Sequence, residues 1–118
     1  LRADEMALML AQAGQHAVLR PILKAISLRD ANGKVNKAHP LKVLAKTGTL
    51  HYVSALAGYV STPDGQELAF AIFGADVDAR NRLMGPDRER PKGARTYNGR
   101  AKKLQQRLIE RWGTVYGA

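Results

Sequence analysis

The spacing of apolar residues changes twice along the chain. In residues 4–13, Met6, Leu8, Met9 and Leu10 give one apolar side at helical spacing, and Gly14 breaks the pattern. Val18, Leu19, Ile22, Leu23 and Ile26 then recur at three and four, which predicts a second helix over 16–26, although Pro21 opposes it unless it lies in the first turn. Arg29-Asp30-Ala31-Asn32-Gly33-Lys34 is a turn signal, and His39-Pro40 closes that loop.

From Leu41 the pattern becomes strand-like. Lys42 to Lys46 reads as a short strand, and 50–61 as a long one carrying Val53, Leu56, Tyr59 and Val60. Thr62-Pro63-Asp64-Gly65 is a turn that brings a strand over 66–73 back as the antiparallel partner. Neither long strand alternates cleanly, so both faces of the sheet are expected to be covered by helices. The small residues Ala55, Ala57, Gly58, Ala69 and Ala71 would let those helices approach.

Residues 76–98, with Gly85-Pro86 and Arg90-Pro91, read as a long surface loop. Helical spacing returns over 99–112 through Ala101, Leu104, Leu108 and Trp112, with Asn98 as N-cap and Gly113 as the stop. The class is α+β: helices, two or three antiparallel strands, then a terminal helix. The strand at 43–49 has no evident partner before it, so the sheet reads as part of a larger one.

The 118 residues suffice for one domain, and 45% apolar content suffices for a core. With no cysteine there is neither a disulfide nor thiolate chemistry. No run is apolar and long enough for a membrane span, and the N-terminus does not read as a signal peptide. A chain opening on Leu1-Arg2 reads as a fragment or a processed product. Net charge is +9, of which residues 76–118 carry +6. Such a balance attracts nucleic acid, anionic lipid or a polyanionic cell wall. Nucleic-acid binding is disfavoured, because the basic tail has little aromatic interleaving and no such motif.

Chemistry concentrates in Lys46-Thr47-Gly48-Thr49, inside the run from Val43 to Tyr59. Thr47 and Thr49 are spaced by two, so their hydroxyls share a strand face and can bond a carboxylate. Gly48 points to the other face, where a side chain is expected to crowd its neighbours. Lys46 supplies a cation beside them. His51 reads as an ordinary residue after the motif, and Asp76 and Asp78 as surface carboxylates. His16 and His39 lack partners at zinc-ligand spacing.

The stretch from His39 to Phe73 resembles the third motif, and the strand after it, of the penicillin-recognising serine acyl-transferases. Lys-Thr-Gly-Thr-Leu followed by Val-Ser-Ala-Leu-Ala-Gly-Tyr is closest to the D-alanyl-D-alanine carboxypeptidase/endopeptidase family typified by penicillin-binding protein 4. The resemblance implies the C-terminal part of a transpeptidase-like domain, with no metal or organic cofactor. It implies that Lys46 serves catalysis, binding the peptide's terminal carboxylate and steering a proton. Thr47, Gly48 and Thr49 would form the substrate strand, with the Thr49 backbone N–H as an oxyanion donor. The partners implied are peptidoglycan peptides ending in D-Ala-D-Ala, β-lactams for the complete enzyme, and the remainder of the domain; the location implied is the periplasm.

The family also carries Ser-x-x-Lys and Ser-x-Asn motifs upstream. The serines here are Ser27, Ser54 and Ser61; none has lysine three residues on or asparagine two residues on. The expectation is a strand that serves a serine carried elsewhere, and a chain that does not acylate by itself. The alternatives are a remnant that only binds peptidoglycan peptide, and a basic nucleic-acid-binding module.

Overall fold

In the computed structural model, residues 2–14, 19–82 and 93–116 are described. A four-stranded antiparallel sheet lies between two helices. The strands are β1 (Lys24–Ile26), β2 (Lys42–Leu50), β3 (Val53–Ser61) and β4 (Glu67–Ala75), in that spatial order. The helices are α1 (Ala3–Ala13), the short α2 (Val77–Asn81) and α3 (Ala94–Tyr116). This is the α+β arrangement the pattern predicts, with one more strand.

Register assigns the faces, because residues paired across antiparallel strands point the same way. Val43 pairs with Val60, Ala45 with Gly58, and Gly58 in turn with Phe70. This face meets α3: Val43, Ala45, Leu56, Val60 and Phe70 form one core with Ile109, and Trp112 packs against it. Full burial of Ile109, at 1% exposure, removes a side chain from water at a gain of about 1.5–3 kcal/mol. On the opposite face, Tyr59 donates its hydroxyl to the Leu10 carbonyl of α1 at 2.5 Å. Arg20 stacks over the same ring, 4.6 Å from its centroid, and pairs with Glu67 of β4.

The predicted helix over 16–26 is not formed where the structure describes it. Arg20–Ile22 is a single 3-10 turn with Pro21 inside it, and Lys24–Ile26 is β1. Ile22 and Ile26 have helical spacing, but pairing of Lys24, Ala25 and Ile26 with Ala45, Leu44 and Val43 decides the outcome. His16 and Val18 lie outside the described residues.

The terminal helix is longer than its periodicity suggested. Gly93, at φ 85°, leads into α3, and its carbonyl accepts the Tyr97 N–H at 2.8 Å. Asn98 is therefore inside the helix, where its Nδ2 donates to the Leu50 carbonyl at 3.2 Å. Gly113 does not stop the helix. It is buried, and a Cβ there would lie 2.7 Å from both Leu41 methyl carbons, so the glycine admits Leu41 against the helix. The segment expected to be a loop over 76–98 is helical at both ends; Gly85-Pro86 and Arg90-Pro91 lie outside the described residues.

Gly58 likewise has a different role from the one its size suggested. A Cβ there would lie 2.6 Å from the Ala45 Cα, and closer still to the Leu44 carbonyl oxygen. It accommodates β2 within the sheet rather than a helix above it.

Candidate functional site

β1 pairs with β2 only as far as Ala45. β2 continues five residues further, and all five, Lys46 to Leu50, are exposed. One edge of this extension pairs with β3, while the other carries no strand among the described residues. The four motif residues thus occupy an open sheet edge.

The hairpin at the end of β2 sets the direction of the backbone groups. Leu50 and Val53 face each other across the two-residue turn His51-Tyr52, where Tyr52 has φ 58°. The pair closing such a turn exchanges both hydrogen bonds, and pairs then alternate along the ladder. Gly48 and Lys46 accordingly direct their N–H and C=O to β3. Thr49 and Thr47 direct theirs to the open edge. The Lys46 ammonium donates to the Thr47 carbonyl at 2.6 Å.

Side chains alternate between faces in the same order. Thr47 and Thr49 pair with Leu56 and Ser54, on the α3 side. Lys46 and Gly48 pair with Ala57 and Ala55, on the α1 side. An occupant of the edge would meet backbone donors and acceptors in the plane of the sheet. The two hydroxyls would stand on one side of it and the ammonium on the other. The expected crowding at Gly48 is not found: a Cβ there would meet only the Ala55 Cβ, at an ordinary 3.7 Å.

Beside Thr47 and Thr49 is a cavity of about 410 Å³ between the segment after β1 and helix α3. Ile26, Leu28, Leu56 and Ile109 make its apolar floor. Arg29, Lys102 and Lys103 line it, and no carboxylate does. Sequence reasoning missed these three cations, because Arg29 is separated from the two lysines by more than seventy residues. Only the packing of α3 over the sheet brings them together.

The three serines occupy different places. Ser54 is buried and accepts a hydrogen bond from Gln105 Nε2 at 3.0 Å. Ser27 is exposed just after β1 and lines the cavity; Ser61 ends β3. None of them neighbours a lysine in a nucleophile motif. His51 offers its backbone carbonyl to Arg80 at 3.0 Å. His39 takes the Leu41 N–H on Nδ1, and its Nε2 lies 3.4 Å from Glu110. Asp76 caps α2 by accepting the Ala79 N–H at 3.0 Å.

A profile of the D-Ala-D-Ala carboxypeptidase 3 (S13) family matches residues 1–89. The chain belongs to that family. No curated protein and no solved structure matches it. The matched residues of this S13 chain take in α1, all four strands and the whole motif, while α3 lies beyond them. Membership places the chain among hydrolases of the D-Ala-D-Ala carboxypeptidase type, whose substrates are peptidoglycan peptides. No helix among its described residues is long and apolar enough to cross a membrane.

Proposed function

We propose that this chain supplies the substrate strand of a serine-type D-Ala-D-Ala carboxypeptidase of the penicillin-binding protein 4 type, working in the periplasm. The open edge of β2 at Lys46–Leu50 carries the reading. A peptide adding to that edge pairs with the outward N–H and C=O groups of Thr47 and Thr49. Lys46 and the threonine hydroxyls bind its terminal carboxylate. The Thr49 N–H stabilises the oxyanion formed when a serine attacks the scissile carbonyl. The acyl-serine forms as the terminal D-Ala amine leaves, and water then releases the shortened peptide. The attacking serine and its lysine belong to polypeptide outside these residues.

Titration with a peptide ending in D-Ala-D-Ala, followed by amide chemical shifts, tests the strand's role. Saturable shifts confined to Lys46–Leu50 and their cross-strand partners are expected. Saturation without shifts there would overturn the reading. A labelled β-lactam tests the location of the nucleophile: no stable adduct is expected on this chain, and covalent labelling of Ser27, Ser54 or Ser61 would overturn it.

A second reading, binding without turnover, is favoured by Ser54. This hydroxyl, next to the motif across the sheet, is buried and held by Gln105. Release of D-Ala on adding the serine-bearing part of the domain supports the first reading; binding with no release supports the second.

A further inference from the structure

We propose that the outer face of α3 is a docking surface for an anionic phospholipid bilayer. At about 100° per residue, Arg100, Arg107 and Arg111 fall within about 40° of one another, roughly opposite the buried Ile109. Lys103 stands beside them, and all four side chains are exposed. None forms an ion pair among the described residues. The helix has one acid, Glu110, which accepts from Gln106 Nε2 one turn earlier at 2.8 Å and lies 3.4 Å from His39. Asp30 and Glu110 border the groove that Lys103 and Arg107 line, but neither pairs with a cation of the stripe.

The opposite face fixes which way they point. Ile109 and Trp112 pack into the sheet, and Gln105 bonds Ser54 beneath it. With the helix held from below, the stripe from Arg100 to Arg111 faces solvent as a line roughly 17 Å long. Leu104, 56% exposed, and Val115, 49% exposed, flank that line. Cations in a row with apolar side chains beside them suit a bilayer boundary, where the cations meet lipid phosphates and the apolar groups leave water. A nucleic-acid duplex would use the cations but leave Leu104 and Val115 without a role. The placement is independent of β2 and of any peptide bound there.

Co-sedimentation of the whole chain with phosphatidylcholine vesicles, with and without phosphatidylglycerol, tests the proposal. Partition onto the phosphatidylglycerol vesicles is expected, with little onto phosphatidylcholine alone, and it should weaken as salt is raised. The triple change Arg100→Glu, Arg107→Glu, Arg111→Glu should lower the partition coefficient on the order of 100-fold or more. The corresponding Arg→Lys triple should retain binding. Should the glutamate triple fail to fold, Leu104→Gln keeps the test open: a loss on the order of fivefold is expected from the apolar contact alone. Equal binding to both vesicle types would overturn the proposal. So would unchanged binding by the folded glutamate triple or by Leu104→Gln, or tighter binding to a DNA duplex than to the anionic vesicles.

Discussion

The Lys46 ammonium donates to the carbonyl of its own neighbour Thr47, at 2.6 Å, on the edge of β2 that no other described strand occupies. That carbonyl is among the groups an added strand would use. On the proposed reading, an arriving carboxylate would draw the ammonium away and free that acceptor in one step. Replacing Lys46 by Met should weaken binding of a D-Ala-D-Ala peptide by about tenfold or more, the range for a lost charged hydrogen bond. Stability should hardly change, because the side chain is exposed. A peptide ending in an amide should lose a similar factor on the unmodified chain and little more on Lys46→Met. Calorimetric titration of the four combinations measures the coupling; additive losses would separate Lys46 from the carboxylate.

Gly58 and Gly48 face different strands' worth of space, and this predicts opposite tolerance. At Gly58 a methyl group meets the backbone of Leu44 and Ala45, which shift only with the ladder. Gly58→Ala should cost about 3 kcal/mol, at the upper end of ordinary overpacking. Gly48→Ala meets only the Ala55 methyl at contact distance and should cost less than about 0.5 kcal/mol. Urea denaturation midpoints distinguish the two. Equal losses would mean that the Leu44–Ala45 backbone yields to the added methyl.

Ser54 lies in the interior of the fold. It is 2% exposed, and Gln105, itself 6% exposed, donates to its hydroxyl. Ser54→Ala leaves that amide donor buried and unpaired, at a cost of about 1–3 kcal/mol. Adding Gln105→Leu removes the orphaned group and should recover part of the loss. Urea denaturation of both variants checks this, and a β-lactam labelling assay should show no dependence on Ser54.

Much of this was legible in the sequence, and the failures have physical causes. The hairpin of β3 and β4 declared itself through Thr62-Pro63-Asp64-Gly65, whose chemistry is local. The motif's alternation followed from the two-residue period of any strand. β1 did not declare itself: three residues hold no periodicity, and only the partner at Val43–Ala45 makes them a strand. The cations around the cavity were hidden because nothing local joins Arg29 to Lys102 and Lys103. Glycines misled most often. A sequence shows that a side chain is missing, but not which neighbour fills the space.

Leu41 and Gly113 put that last point to a quantitative test. If the glycine ended α3 by its conformational freedom, Gly113→Ala would extend the helix and stabilise it whatever occupied position 41. If the glycine makes room for Leu41, the sign depends on the partner. An added methyl would sit 2.7 Å from the Leu41 methyl carbons, so in the unmodified chain Gly113→Ala should destabilise by about 1–2 kcal/mol. Leu41 is 8% exposed, and Leu41→Ala alone should cost about 2–5 kcal/mol. In that shortened background the clash is gone, and the helix preference for alanine over glycine, up to about 1 kcal/mol, should emerge as a gain. The two changes should therefore couple by about 2 kcal/mol, within the range known for contacting residues. Urea denaturation of the four chains gives the coupling from midpoints at constant slope. A coupling near zero would return Gly113 to the role of a helix stop. A change of sign between backgrounds would show that α3 runs past it because Leu41 needs the space.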